Sequence, residues 1–348
     1  MQTEAAVLVE INRPLRQATL TLPELKPGQV LVEVAYSGVC HSQLHEVRGR
    51  RGPDRFLPHT LGHEGSGTVL SVGDGVSKVK AGDRVVLTWI KGDGADVAAT
   101  VYHDGTETVN SGALSTFMRH TVTCENRVVP LSSAMPLREA ALLGCAVPTG
   151  AGIVLNAAKM KRASSVAVFG VGGIGLSALL AAKTLDAAPL IAVDVVDAKL
   201  AEALRLGATH AVNSREREPL AAIQELTDGR GVDYSIECAG RRETMETAFR
   251  SVRNQGGLCV LAGNLPHGER IAIDPFDLIR GKRIVGTWGG ETRPDQDLPR
   301  YAQWFLEGRL PLANLITHEY PLDEINTALS DMEQGRVSRA LIKMVEGG

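Results

Sequence analysis

Residues 166–194, VAVFGVGGIGLSALLAAKTLDAAPLIAVD, constrain this chain more than any other stretch. Four apolar residues of strand type, Val166 to Phe169, run into Gly170-Val171-Gly172-Gly173-Ile174-Gly175, and a Leu- and Ala-rich segment with helical spacing follows. The local order is strand, tight turn, helix. In such a unit the first glycine, Gly170, permits the turn, Gly172 lets the backbone approach a pyrophosphate, and Gly175 lets helix and strand pack closely. Gly173 and Ile174 open the helix, whose first N–H groups have no intrahelical acceptor and attract phosphate. The next apolar run, 190–193, ends in Asp194, 19 residues after Gly175. A carboxylate there accepts hydrogen bonds from both ribose hydroxyls of an adenosine and repels a 2′-phosphate. A G-x-G-x-x-G alone is a weak signal, but its place between strand and helix, with this acid after the second strand, makes it a strong one.

A chain of 348 residues exceeds what one hydrophobic core usually serves, so two domains are expected. A formal charge of −3 gives no reason to expect nucleic acid or an anionic membrane as partner. Lys183 interrupts the best apolar run well short of the ~20 residues that span a bilayer, and Glu4 with only a short apolar run does not make a signal peptide. Five cysteines, an odd number spread over a long chain, do not read as a disulfide framework. A reducing cytoplasm is the expectation.

The texture changes along the chain. Residues 29–34 alternate Val30, Val32 and Val34 with other residues, and further β-like runs at 67–72 and 85–87 are separated by Gly73-Asp74-Gly75 and Gly82-Asp83. The first 140 or so residues thus predict an irregular, mostly β domain. From about Pro148 helices and strands alternate: a helix over 150–159, the unit above, a helix over 197–206 stopped by Gly207, and strands at 211–213, 231–237, 258–261 and 283–286. Six parallel strands make a doubly wound α/β sheet. Two helical segments, 298–307 and 323–333, and a strand-like run, 340–345, follow. The predicted domains are 1–146, 147–288 and a C-terminal segment, 289–348, that returns to the first.

Cys40-His41-Ser42-Gln43-Leu44-His45 follows the first β stretch, Gly62-His63-Glu64 comes 22 residues after Cys40, and Cys145 sits where the nucleotide domain begins. Two thiolates and one imidazole form a three-ligand zinc site whose fourth tetrahedral position stays open for water or substrate, and the thiolates balance the ion's charge. Taken singly each of these residues reads as structural, because free Cys is among the most buried residue types. Together they read better as a metal site. Cys124, Cys238 and Cys259 have no such company and read as small core residues.

The chain resembles the zinc-dependent alcohol dehydrogenases of the medium-chain dehydrogenase/reductase superfamily over nearly its whole length, through GVCHSQLH, LPHTLGHEGSG, AGDRVV, GCAVPTG, FGVGGIG and GRVSRALIKM. The resemblance implies a Rossmann sheet plus a mostly β, GroES-like catalytic domain, with Cys40, His63 and Cys145 on the catalytic zinc and Glu64 behind it. It implies that Ser42 takes the proton of the substrate alcohol and His45 passes it to solvent. His41 and Arg339 match positions that meet the cofactor pyrophosphate, Thr149 one near the nicotinamide, Lys199 one that joins Asp194 at the ribose, and Trp89 one that lines the substrate pocket. The implied cofactors are NAD and one zinc per subunit, the partners a small alcohol, aldehyde or ketone and further copies of the chain, as a dimer or tetramer joined near 283–289.

Two departures from the family pattern stand out. Many members carry a second, structural zinc held by four cysteines, whereas residues 89–121 contain no cysteine. A carboxylate commonly follows the relay Ser or Thr and orients the histidine ligand, whereas here the residue is Gln43. Residues 46–57 also carry Arg48, Arg50, Arg51 and Arg55, either a solvated basic loop or a receiver for an anionic substrate group. The competing readings are a biosynthetic carbonyl reductase of the same fold acting on a larger or anionic substrate, and a non-catalytic nucleotide-binding scaffold, which would need neither zinc ligands nor Ser42 and His45.

Overall fold

The computed structural model describes residues 1–344. The backbone divides into two compact units, Ala146–Thr292 and a unit made of Met1–Cys145 with the chain from Arg293 onwards.

The unit Ala146–Thr292 is built on six parallel strands, Val166–Phe169, Leu190–Asp194, His210–Asn213, Tyr234–Glu237, Leu258–Leu261 and Arg283–Gly286. Across the sheet they lie in the order third, second, first, fourth, fifth, sixth. The order reverses between the first and fourth strands, and ligands of such sheets bind beyond the strand ends at that reversal. The strands Val166–Phe169 and Leu258–Leu261 are apolar because both faces of the sheet are covered, and Phe169, Ile191, Val193, Phe249 and Cys259 pack in one core. The helix Asp197–Leu206 ends at Gly207 with φ 119°, and Pro219–Leu226 begins where the Glu218 carboxylate accepts from Ala221 N–H at 2.8 Å. The helix expected over 150–159 instead starts at Ala146, runs to Gly152 and widens into a π turn over Ile153–Ala157.

In the other unit a seven-stranded sheet runs Val128–Pro130, Arg84–Thr88, Glu64–Val72, Gln29–Gly38, Ala340–Lys343, His318–Pro321, with His120–Cys124 also paired to Gln29–Gly38. A smaller sheet joins His59–Thr60, Gln2–Leu8, Arg16–Thr21, Tyr102–Asp104 and Glu107–Val109. Val30, Val32 and Val34 are fully buried in the core with Val69, Leu87, Phe117, Ile325 and Ile342. The C-terminal strand pairs antiparallel with Gln29–Gly38, Leu341 opposite Gly38 and Ile342 opposite Ser37, which sets Arg339 beside the start of the Cys40 loop. Of the run expected over 340–345, Ala340–Lys343 is strand, and Val345 lies outside the described residues.

The cysteine-free segment is closed by carboxylates. Glu125, 3% exposed, accepts from the backbone N–H groups of Ser77, Lys78 and Ala95 at 2.7 to 2.8 Å. Asp295 accepts from Asp93 N–H at 2.6 Å and pairs with Lys78, whose Nζ also donates to the Asp93 carbonyl at 3.1 Å.

Candidate metal centre and dinucleotide site

The strand Gln29–Gly38 ends two residues before Cys40, which caps the short helix His41–Val47. His63 and Glu64 stand at the start of Glu64–Val72, and Cys145 follows the 3-10 turn Ala141–Gly144. These turns bring Cys40 Sγ, a ring nitrogen of His63, a Glu64 carboxylate oxygen and Cys145 Sγ within 4.8 Å of one another. His63 Nε2 is buried with no hydrogen-bond partner, an expensive arrangement for a polar atom unless it has a ligand to take. Two thiols and an imidazole nitrogen are donors that suit a borderline-soft cation such as Zn²⁺.

Hydrogen bonding from Cys145 draws the Cys40 pKa well below the usual thiol value despite burial, helped by His63 and Arg339. The same bond, with burial, pushes Cys145 well above it. One shared hydrogen bond thus drives the two thiols in opposite directions. Burial opposes the His63 imidazolium, yet the Cys40 thiolate outweighs it and raises the pKa.

Glu64 is fully buried, and burial raises its pKa against the pull of Arg339. Its Oε2 receives the Arg339 guanidinium, which also donates to the Val39 carbonyl at 3.3 Å. Burial works against the Arg339 charge as well, but Glu64 and the two cysteines outweigh it. In this arrangement the Arg339 side chain is engaged with Glu64. Gly38 makes room for the carboxylate: a Cβ there would lie 2.5 Å from Glu64 Cδ.

Ser42 Oγ donates to Cys40 Sγ at 3.2 Å. His45 follows at i+3 on the same helix, hence on the same face. Burial and the nearby Arg50 and Arg51 hold its pKa below 6.5. Trp89 meets His63 edge-on with ring centroids 6.5 Å apart. His41 is exposed at the first turn of the helix. The basic segment is largely engaged: Arg48 grips Glu333 at 2.6 to 3.1 Å, Arg50 reaches the same carboxylate at 3.4 Å, and Arg51 lies 3.6 Å from Glu46. Arg55 alone among the four forms no ion pair among the described residues and is exposed.

In the unit Ala146–Thr292, Gly175 is required, because a Cβ there would sit 2.0 Å from the Gly170 carbonyl oxygen. At Gly172 a Cβ would meet nothing within 4 Å. Its smallness serves no protein packing and suits a ligand's close approach. Asp194 Oδ2 accepts from Val171 N–H at 2.9 Å, tying the glycine turn to the second strand, and Oδ1 accepts from Val195 and Val196 N–H. Lys199 lies in the first turn of Asp197–Leu206, and Thr149 is buried in Ala146–Gly152.

Sequence reasoning did not find the Glu64–Arg339 pair, whose members lie 275 residues apart, nor Glu46 as a neighbour of Gln43.

Residues 26–133 match the Alcohol dehydrogenase GroES-like domain family and residues 173–307 the Zinc-binding dehydrogenase family. The S-(hydroxymethyl)glutathione dehydrogenase of Synechocystis sp. is 32% identical, covering 98% of this chain and 100% of that one. An alcohol dehydrogenase zinc-binding domain protein from Burkholderia ambifaria superposes with TM-score 0.93 at 32% identity, covering 99% of this chain and 100% of that one. Benzyl alcohol dehydrogenase from Acinetobacter calcoaceticus superposes with TM-score 0.91 at 31% identity and the same coverage. Fold and matches define a zinc- and NAD-dependent oxidoreductase. The chain belongs to the zinc-dependent alcohol dehydrogenase family of the medium-chain dehydrogenase/reductase superfamily.

Proposed function

We propose that this enzyme interconverts small alcohols and their aldehydes or ketones, with Cys40, His63 and Cys145 holding the metal and Ser42 and His45 moving the proton. The convergence of two cysteines and an unpartnered imidazole nitrogen carries the reading. Zinc held there supplies a Lewis acid that stabilises negative charge on the substrate oxygen. Ser42 Oγ accepts the substrate's hydroxyl proton, and the neutral His45 imidazole receives it in turn. Trp89, edge-on to His63, narrows the space around the reacting carbon. Asp194 receives the adenosine ribose hydroxyls with Lys199 beside it, the 170–175 turn receives the pyrophosphate, and Thr149 approaches the nicotinamide. With three of the four arginines engaged by carboxylates, a small neutral substrate is favoured over an anionic one. Purified zinc-loaded protein given NAD⁺ and a panel of alcohols should gain absorbance at the NADH wavelength, and no turnover in either direction with any of them would leave the scaffold reading.

NAD⁺ should exceed NADP⁺ in kcat/KM by at least about tenfold, roughly 1.4 kcal/mol, because the Asp194 carboxylate repels a 2′-phosphate. Steady-state kinetics with both cofactors test this, and Asp194→Ser should narrow the ratio. His45→Ala should slow turnover without abolishing it, since water partly replaces a relay residue. The His45 pKa lies below 6.5, so the wild type keeps a neutral acceptor on the acid side of neutrality. The deficit of the variant should therefore be greatest there, and pH-rate profiles that superpose after scaling would remove His45 from the proton path.

The strand Arg283–Gly286 is an open sheet edge, with Val285 41% and Trp288 78% exposed. Such an edge invites pairing with another chain, and it supports a homodimer, or a tetramer built from it, joined there. Light scattering should give a multiple of the 37.1 kDa chain, and Val285→Asp should lower it to one. Five cysteines with no disulfide among the described residues favour a reducing compartment such as the cytoplasm.

A further inference from the structure

The two ring nitrogens of His63 meet different surroundings. Nδ1 lies 3.1 Å from Gln43 Nε2, which leaves the buried Nε2 as the atom for a metal. A ligating imidazole carries its proton on the other nitrogen and gives it to an acceptor, so a loaded His63 needs an oxygen opposite Nδ1. Gln43 offers a nitrogen instead. Its Oε1 is occupied by Gly62 N–H, and its Nε2 donates to a Glu46 carboxylate oxygen at 3.3 Å. Turning the amide over would set an NH₂ group against the Gly62 N–H and an oxygen against the Glu46 carboxylate. Amide orientations are settled by such partners, and here both agree. With the amide so held and 4% exposed, Nδ1 accepts and the ring proton belongs on Nε2, the nitrogen a metal requires bare.

Resting on the zinc reading, we infer that Gln43, held by Gly62 and Glu46, is a positioning residue that biases His63 toward the tautomer opposed to ligation, making the Cys40–His63–Cys145 centre one that binds zinc loosely and exchanges it readily. Loading obliges either the ring proton to move to Nδ1, where it faces an N–H, or the amide to turn against both neighbours. Either way a buried donor ends opposite a donor, and the ion's residence is shortened.

The experiment measures the zinc dissociation constant by chelator competition, and the rate of zinc release, for wild type, Gln43→Glu, Gln43→Asp and Glu46→Gln. Outer-shell partners of a ligating histidine shift metal affinity by about 10- to 100-fold, so the two carboxylate variants should bind zinc at least about tenfold more tightly and release it more slowly. Glu46→Gln replaces a partner that only accepts by one that can accept or donate, so it loosens one of the two holds on the amide and should tighten binding by a smaller factor. It also decides the matter if the carboxylate variants fail to fold. A residue serving only to brace the loop would give looser binding when changed. Equal affinity and release rate in wild type and variants, or looser binding in the variants, overturns the role of Gln43 while the zinc reading stands. A wild type that takes up no zinc, by elemental analysis and by the absence of thiolate-to-metal absorption with Co²⁺, overturns the zinc reading itself.

Discussion

Cys145→Ser should abolish tight zinc binding and lower kcat/KM by on the order of a thousandfold or more. Removing the metal withdraws several kcal/mol of stabilisation from the charge that develops on the substrate oxygen, and each 1.4 kcal/mol is a factor of ten in rate. A serine hydroxyl is nearly the same size as the thiol and fills the 5% exposed position without a cavity. It remains protonated, however, and brings no negative charge to the ion. Cys238→Ser provides the control. Cys238 follows the strand Tyr234–Glu237 in the other unit and, among the described residues, belongs to no cluster of ligating side chains. Elemental analysis and steady-state kinetics on both variants decide the point. A Cys145→Ser enzyme that keeps its zinc and its rate would remove Cys145 from the ligand set.

The parts of this fold that are legible in the amino-acid sequence are those where one local force dominates. Strands Val166–Phe169, Leu258–Leu261 and Arg283–Gly286 and the helix Asp197–Leu206 fall on the expected residues. Val166–Phe169 and Leu258–Leu261 show as apolar runs between helices, and Gly207 stops the helix by its left-handed φ. The mostly β unit is harder to read. Arg16–Thr21 has one buried residue in six, and His41–Val47 has no apolar stripe to announce a helix. The helix Pro294–Leu306 starts four residues before the expected 298 because Pro294 at its first turn, with Asp295 and Asp297, suits a helix start without showing in the apolar period. At the candidate metal centre, residue type and motif mark Cys40, His63 and Cys145, whose side-chain donor atoms lie within 4.8 Å of one another. The groups that tune them were not so marked, because Arg339 reaches Glu64 only through the pairing of the C-terminal strand with Gln29–Gly38. Likewise, nothing in a Gln-Leu-His-Glu run says which way an amide will face.

The second large effect is expected far from the chemistry, at Glu125. Changing it to Ala should destabilise the unit by about 3 to 5 kcal/mol, since three backbone N–H groups lose a charged acceptor and leaving a buried donor unsatisfied costs about 1 to 3 kcal/mol each, not fully additive. Glu125→Gln should also destabilise, because Ser77 and Lys78 bond to one carboxylate oxygen and Ala95 to the other. An amide can satisfy only one side and turns an N–H toward the other. Burial tends to raise the Glu125 pKa, but the N–H groups of Ala95, Ser77 and Lys78 outweigh it, and the net shift is downward from 4.5. A carboxylate whose folded pKa is depressed contributes stability above its unfolded pKa and loses it as pH falls through the folded value. The contribution is therefore complete near neutrality and disappears on acidification below about 4.5, a dependence that Glu125→Gln should lack. Hydrogen-exchange protection of the Ser77, Lys78 and Ala95 amides reads the effect locally, and thermal unfolding reads it globally. Because the segment 89–121 is cysteine-free and this carboxylate closes it, a chelator that strips the metal from Cys40, His63 and Cys145 should leave those three amides protected. Protection lost to the chelator, or retained in Glu125→Ala, would mean that something other than Glu125 holds the segment closed.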